Sequence, residues 1–295
     1  MRALVSGLAL LILAGCSATK GSTSDGTGGG GGAGGGATAS ASSGSSGGLG
    51  GGPSLGASSG SGGGGSGAPL AEVFAHSSET LFRLDPDTKV VTVVGAFSGC
   101  SMVTDIAVDK NGVMFGTTFD GLYRIDKKTA LCAHAADGSY PNSLSFVPQG
   151  TLDPNQEALV GYVGSTYVRI DTKTGALSNV GDLGSADGYV SSGDVVSVIG
   201  GSTYLTVNGG NCSDCIVEVD PKTGALVKMI GALPFTNVYG LAYWGGVAYG
   251  FDDTGALFEI DLPSASTKLI PVSSAPAGLA YWGAGSTTAA PMIPK

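Results

Sequence analysis

The sequence predicts an all-β chain, a five-bladed β-propeller with four antiparallel strands to a blade. Three observations carry that prediction. A short motif recurs five times at intervals of 41, 45, 49 and 41 residues. Between its copies, apolar runs alternate with turn residues every eight to twelve positions, the signature of short strands. The last apolar run, PAGLAYWG (276–283), repeats an earlier one, VYGLAYWG (238–245), so the end of the chain can return to its beginning.

The motif copies are LFRLDPDTKVV from Leu81, LYRIDKKTALC from Leu122, YVRIDTKTGAL from Tyr167, IVEVDPKTGAL from Ile216 and LFEIDLPSAST from Leu257, aligned on Asp85, Asp126, Asp171, Asp220 and Asp261. A period of 40–50 residues marks a repeat architecture, each unit needing its neighbours to bury its apolar faces. In the second unit, 104–108, 113–119, 122–125 and 131–136 read as four strands, with Asp109-Lys110-Asn111-Gly112 as a hairpin turn. Four antiparallel strands per repeat make a propeller blade. The folded region opens at AEVFAHSSETLFRLD without a first strand. The C-terminal strand is therefore expected to complete the N-terminal blade and close the ring, removing open edges. The aspartates of the motif cap their own turns, with Pro and Gly supplying the backbone angles. They are read as structural.

Arg83, Arg124 and Arg169 share one strand position in the first three units, and Glu218 and Glu259 hold it in the last two. Opposite charges are thus expected to pair across the third/fourth and the closing fifth/first junctions.

The N-terminus reads as an address. Arg2 precedes an apolar run from Ala3 to Leu13, too short to span a bilayer but suited to a secretory signal. Leu13-Ala14-Gly15-Cys16 follows. It resembles the lipobox of bacterial lipoproteins, in which cleavage precedes a cysteine that is then acylated. The resemblance implies a signal peptide over 1–15, lipidation of Cys16, and a membrane anchor. Ser17 by the same resemblance implies the outer membrane. Residues 21–68 carry Gly at 23 of 48 positions and one charge, Asp25. Such a segment cannot bury a core and is expected to be a disordered tether over 16–68. The propeller is assigned to 69–283, and 284–295 to a flexible tail. Across 70–283 the pattern resembles five-bladed bacterial propellers of the broad NHL/YVTN type and the uncharacterised Gly-rich lipoproteins of myxobacteria. That resemblance carries a fold and no activity.

The formal charge of −9, with 14 basic residues, argues against nucleic acid, which is bound first through its phosphates. In propellers, ligands enter where the inner strands begin. The second position of each inner strand is read as Asp105, Ser143, Asp194, Gly240 and Gly278. Asp105 and Asp194, in blades two and four, depart most from the repeat. With Asn142, Ser143 and Tyr239 they are expected to form a ligand site at the channel mouth, the alternative being carboxylates that only accept backbone N–H groups.

Catalysis finds less support. The five glutamates (Glu72, Glu79, Glu157, Glu218, Glu259) miss the inner strands as aligned, whereas glycosidases need convergent carboxylates. His76 and His134, the only histidines, are placed in outer parts of their blades, which speaks against a His-based triad or zinc centre. Asp105, Asn142 and Asp194 offer at most a thin oxygen site for Ca²⁺. Asp153-x-Asn155-x-Glu157 resembles a calcium loop but lacks its Gly and distal Glu. The reading is a monomeric, non-enzymatic module for a partner protein or small polar ligand. The alternative is a metal-dependent enzyme of lactonase or lyase type at the channel mouth.

Cys16 aside, four cysteines remain. Cys212-Ser213-Asp214-Cys215 fits half a zinc site, a redox pair or a small disulfide. Export favours the disulfide. Cys100 and Cys132 are expected to pair if the connection between them crosses the rim of blade two.

Overall fold

The computed structural model describes residues 72–184, 187–272 and 278–293. The expected signal peptide, the expected lipidation site Cys16 and the expected tether lie outside the described residues. Twenty strands form five four-stranded antiparallel sheets arranged as blades. Blade one holds β1 (Val73–His76), β2 (Thr80–Asp85), β3 (Val90–Ala96) and, innermost, β20 (Gly283–Ser286). Blade two is β4 (Asp105–Val108), β5 (Met114–Thr117), β6 (Gly121–Ile125) and β7 (Cys132–Asp137). Blade three is β8 (Leu144–Val147), β9 (Ala158–Val163), β10 (Thr166–Ile170) and β11 (Leu177–Asp182). Blade four is β12 (Val190–Ser197), β13 (Thr203–Gly209), β14 (Cys212–Val219) and β15 (Leu226–Ala232). Blade five is β16 (Val238–Trp244), β17 (Val247–Asp252), β18 (Leu257–Asp261) and β19 (Ser266–Ile270).

The burial pattern explains the order. The inner strands β4, β8 and β20 are buried at every position, because both faces meet neighbouring blades. Outer strands alternate or lie open, as in β3 and β11. Apolar side chains pack between blades. One continuous core joins blades one, four and five, around Phe82, Tyr249, Phe251, Phe258 and Tyr281. In four blades the outermost pair shifts register at one equivalent place, Leu81/Phe82, Leu122/Tyr123, Tyr167/Val168 and Ile216/Val217. Bulges there twist the exposed edge and blunt it as a template for further strands.

The motif turns behave as read. Asp85, Asp126 and Asp171 each accept backbone N–H groups two and three residues on, at 2.8–3.2 Å. The fifth position of each turn is left-handed: Lys89, Ala130, Gly175, Gly224 and Ala265 have φ of 57–73°. At Gly224 a Cβ would also overlap Tyr167 of the preceding blade. Gly224→Ala is therefore expected to cost about 2 kcal/mol, from backbone strain plus overpacking. Urea denaturation checks it; a loss equal to that of Gly164→Ala, whose Cβ meets nothing, would remove the packing argument.

Ring closure occurs, but five residues later than the repeated GLAYWG suggests. The innermost strand of blade one is Gly283–Ser286, paired with β1 from Val73↔Ser286 to His76↔Gly283. Residues 284–290 are thus part of the propeller and not a loose tail. Ile199 N–H donates to Thr288 O and Gly245 N–H to Pro291 O. The physical reason is crowding at the axis. Tyr281 is needed in the core, edge-on to Phe82 and Phe251, and the small run Gly283-Ala284-Gly285-Ser286 takes the inner place.

The expected Arg–Glu pairs do not form. At the closing junction Glu259 is held by Lys89 at 2.8 Å, while Arg83 lies 3.9 Å from Glu72. Arg169 bonds Asp153 within its own blade and Glu218 bonds Ser202. The motif turn leans toward the preceding blade, so its lysine reaches the junction before the strand arginine does. Both disulfides, Cys100–Cys132 and Cys212–Cys215, are formed.

Candidate functional site at the channel mouth

Each inner strand enters the axis with one residue at the same depth: Asp105, Ser143, Asp194, Gly240 and, in place of Gly278, Gly283. The next residue of each strand, Ile106, Leu144, Val195, Leu241 or Ala284, turns its backbone N–H toward the two aspartates. Asp105 accepts from Ile106 at 2.8 Å and from Leu144 of blade three at 2.6 Å. Asp194 accepts from Val195 at 2.6 Å, from Leu241 of blade five at 2.8 Å, and from Ala284 of blade one. Two carboxyl groups thus satisfy a ring of N–H donors drawn from all five blades, and they hydrogen-bond each other. Both are 0% exposed.

Burial pushes Asp105 well above the usual carboxylate range, and the neighbouring Asp194 charge adds to it. Burial raises Asp194 as well, against the lowering pull of its N–H donors. Two carboxylates in contact cannot both ionise, so the pair holds a proton.

His76 completes the cluster. It ends β1, is fully buried, and is not in an outer part of the blade as the alignment suggested. Its Nδ1–H donates to Ser77 O at 2.9 Å. Its Nε2 faces Asp105 Oδ1 at 3.9 Å without a hydrogen-bond partner. Burial lowers its pKa to about 4, so this is a neutral imidazole beside a carboxyl, not an ion pair. Gly283 makes room for it: a Cβ there would reach 2.5 Å from Asp105 Oδ1 and nearer still to His76 Nε2.

The proton gives a pH signature. The pair's folded pKa is raised above the unfolded aspartate value, so its contribution is full below about pH 4 and is lost as pH rises toward the folded value. His76 has the opposite sign, with stability lost as pH falls from about 6.5 toward its folded value. Asp105→Asn keeps a donor to Asp194 and cannot titrate. The stability advantage of the wild type over this variant should fall by about 1.4 kcal/mol per pH unit as pH rises above the unfolded aspartate value of about 4, until the pair's raised folded value is reached. Urea denaturation across that range checks it; parallel curves would mean that the pair holds no proton.

The five residues expected at the mouth therefore separate. Asp105 and Asp194 are sealed, and Ser143 is tied to Tyr162 N–H and O of β9. The carboxyls expected in a thin oxygen site for Ca²⁺ accept backbone N–H groups instead of facing the mouth. The Asp153 loop is likewise spent: Asp153 holds Arg169 and Asn155 N–H, and Glu157 accepts from Thr288 and Lys110 N–H.

Asn142 and Tyr239 do line a cavity. It lies just outside the sealed cluster, has a volume of about 430 Å³, and is walled by Phe119, Tyr140, Tyr239 and Trp282 over Thr104, Thr118, Ser139 and Asn142. Phe119, 66% exposed, stands at the tip of the β5–β6 hairpin. It meets Trp282 edge-on, centroids 6.5 Å apart at 76°. Among the described residues, neither the Asn142 amide, the Tyr239 hydroxyl nor the Trp282 indole N–H is engaged. Among the described residues, no charged one lines the cavity. Phe119 and Tyr140 escaped the sequence reading because they sit in mouth-side connections that do not repeat, and Trp282 because its GLAYWG copy was read as an inner strand. The signal available was an aromatic residue inside the polar turn Thr118-Phe119-Asp120.

No protein-family model matches the sequence, and no curated protein matches it. Among solved structures, the chain is similar to Kuenenia stuttgartiensis hydrazine synthase (13% identity, TM-score 0.36, covering 66% of this chain and 61% of that one). It is similar to BamB from Moraxella catarrhalis (14%, 0.34, 66% and 62%). A protein of unknown function from Bacteroides caccae is also similar (14%, 0.39, 72% and 77%). The chain spans less than two-thirds of the length of the first two.

Proposed function

We propose that the protein is an exported, lipid-anchored module of the cell envelope whose propeller binds a ligand in the mouth cavity and performs no chemistry of its own. The observation that carries this is the cavity itself. It is concave, largely aromatic, of ordinary ligand-site size, and rimmed by the Asn142 amide, the Tyr239 hydroxyl and the Trp282 indole N–H, which have no partner among the described residues. Beneath it, the carboxyls that a catalyst would need are turned inward to backbone N–H groups. That favours binding over the lactonase or lyase alternative. Two disulfides fit an oxidising compartment, and the lipobox-like Leu13–Cys16 supplies the anchor.

Two measurements test the proposal. Thermal shift of the full chain against a small-molecule library, at about 100 times Kd, should reveal about 2.7 kcal/mol of stabilisation. The shift should vanish in Trp282→Ala. A ligand that stabilises wild type and variant equally would place the site elsewhere. Separately, cells fed labelled palmitate should label the wild type and not Cys16→Ser; label retained in the variant would sink the anchor.

A further inference from the structure

We propose that the mouth cavity receives an organic cation of the quaternary-ammonium class. This rests on the reading of the cavity as the ligand site and adds what enters it. Four aromatic side chains wall the space. An aromatic face carries partial negative charge and attracts a weakly hydrated cation. Phe119 and Trp282, nearly perpendicular, form a corner of the kind that surrounds a methylated ammonium group.

The charge pattern points the same way. No Lys or Arg occurs in any described connection on the mouth side. Lys89, Lys110, Lys127, Lys128, Lys173 and Lys222 all lie in turns at the opposite ends of the strands. The remaining described Arg and Lys sit within two residues of those ends. The mouth side instead carries Glu79, Asp120 and Asp253. Asp120 is satisfied by the Thr118 hydroxyl and Asp253 by the Asn237 amide. Neutral partners leave the negative field intact, and the hydroxyl of Tyr239 is raised by burial and then by Asp253 and Asp214.

That field repels an anion and does nothing for a neutral sugar. A compact metal cation would need several oxygen ligands, and the nearest carboxyls are sealed beneath. A large, soft cation needs only rings and a field. The Asn142 amide and Tyr239 hydroxyl remain to bond a polar group on the same molecule.

The test is calorimetry on the full chain with tetramethylammonium and choline, against the neutral isostere 3,3-dimethylbutan-1-ol and against glucose. Both cations should bind. The isostere should bind about tenfold more weakly or worse, and choline affinity should fall with added salt. Phe119→Ala, a change at an exposed tip, and Trp282→Ala should each weaken choline about tenfold, while Tyr239→Phe, which keeps the ring, should change it far less. Phosphatidylcholine vesicles beside free choline distinguish a lipid headgroup from a free solute as the source. Failure of both cations to bind, or an isostere as tight as choline, would overturn the proposal. If glucose or the isostere binds and Trp282→Ala abolishes it, the cavity stands and the cation falls. Cation binding untouched by Phe119→Ala and Trp282→Ala would overturn both readings.

Discussion

Asp194→Ala is expected to destabilise the protein by about 4 kcal/mol or more, the largest effect of any single side chain at the axis. Three backbone N–H groups, from Val195, Leu241 and Ala284, lose their acceptor at once. Each buried donor left unpaired costs about 1–3 kcal/mol. The three belong to blades four, five and one, so the loss falls on the junctions that close the ring. Asp105→Ala removes the acceptor of two such groups, in blades two and three, and should cost less. Asp194→Asn retains one acceptor oxygen and should fall between wild type and alanine, which keeps the argument testable if Asp194→Ala fails to fold. Denaturant unfolding at neutral pH ranks the series. An alanine variant within about 1 kcal/mol of wild type would mean that water replaces the carboxyl and that the ring of N–H groups has no need of it.

This arrangement shows what the sequence could and could not reveal. The motif turns were legible because they are local: an aspartate two and three residues before the N–H groups it caps needs no knowledge of the fold. Blade number and strand order followed from the spacing. The closing strand was legible in principle and wrong in register. GLAYWG occurs twice, at Gly240 and Gly278, yet the second copy feeds Tyr281 into the core and leaves Gly283 to stand beside His76. Crowding at the axis, a property of five strands together, decided between two equally good alignments. Asp105 and Asp194 stand out in the sequence as departures from the repeat. Their partners were not legible, since each lies one or more blades away. Asn142 and Tyr239 reach the cavity while their neighbours Ser143 and Gly240 do not, because successive residues at the mouth differ in depth.

Removal of the Cys100–Cys132 bridge should cost about 3–4 kcal/mol. The two cysteines are 32 residues apart, and the loop they close contains β4, β5 and β6, the three inner strands of blade two. Without the bridge the unfolded chain regains the freedom of that whole loop. The Cys212–Cys215 bridge closes a separation of 3 and should contribute only about 2 kcal/mol by the same reasoning. Its local role is different. It fixes the start of β14 at Asp214, whose carboxyl takes the Ser192 hydroxyl at 2.6 Å and Asn237 N–H at 2.7 Å, beside the entries of β12 and β16. Cys100→Ala/Cys132→Ala should therefore lower the denaturation midpoint more than Cys212→Ala/Cys215→Ala. The smaller bridge, two residues of chain from Tyr239 through Asn237, should have the larger effect on ligand binding at the mouth. Equal midpoints for the oxidised and fully reduced wild type would show that neither bridge constrains the unfolded chain. Chain entropy would then be the wrong account of why the propeller carries them.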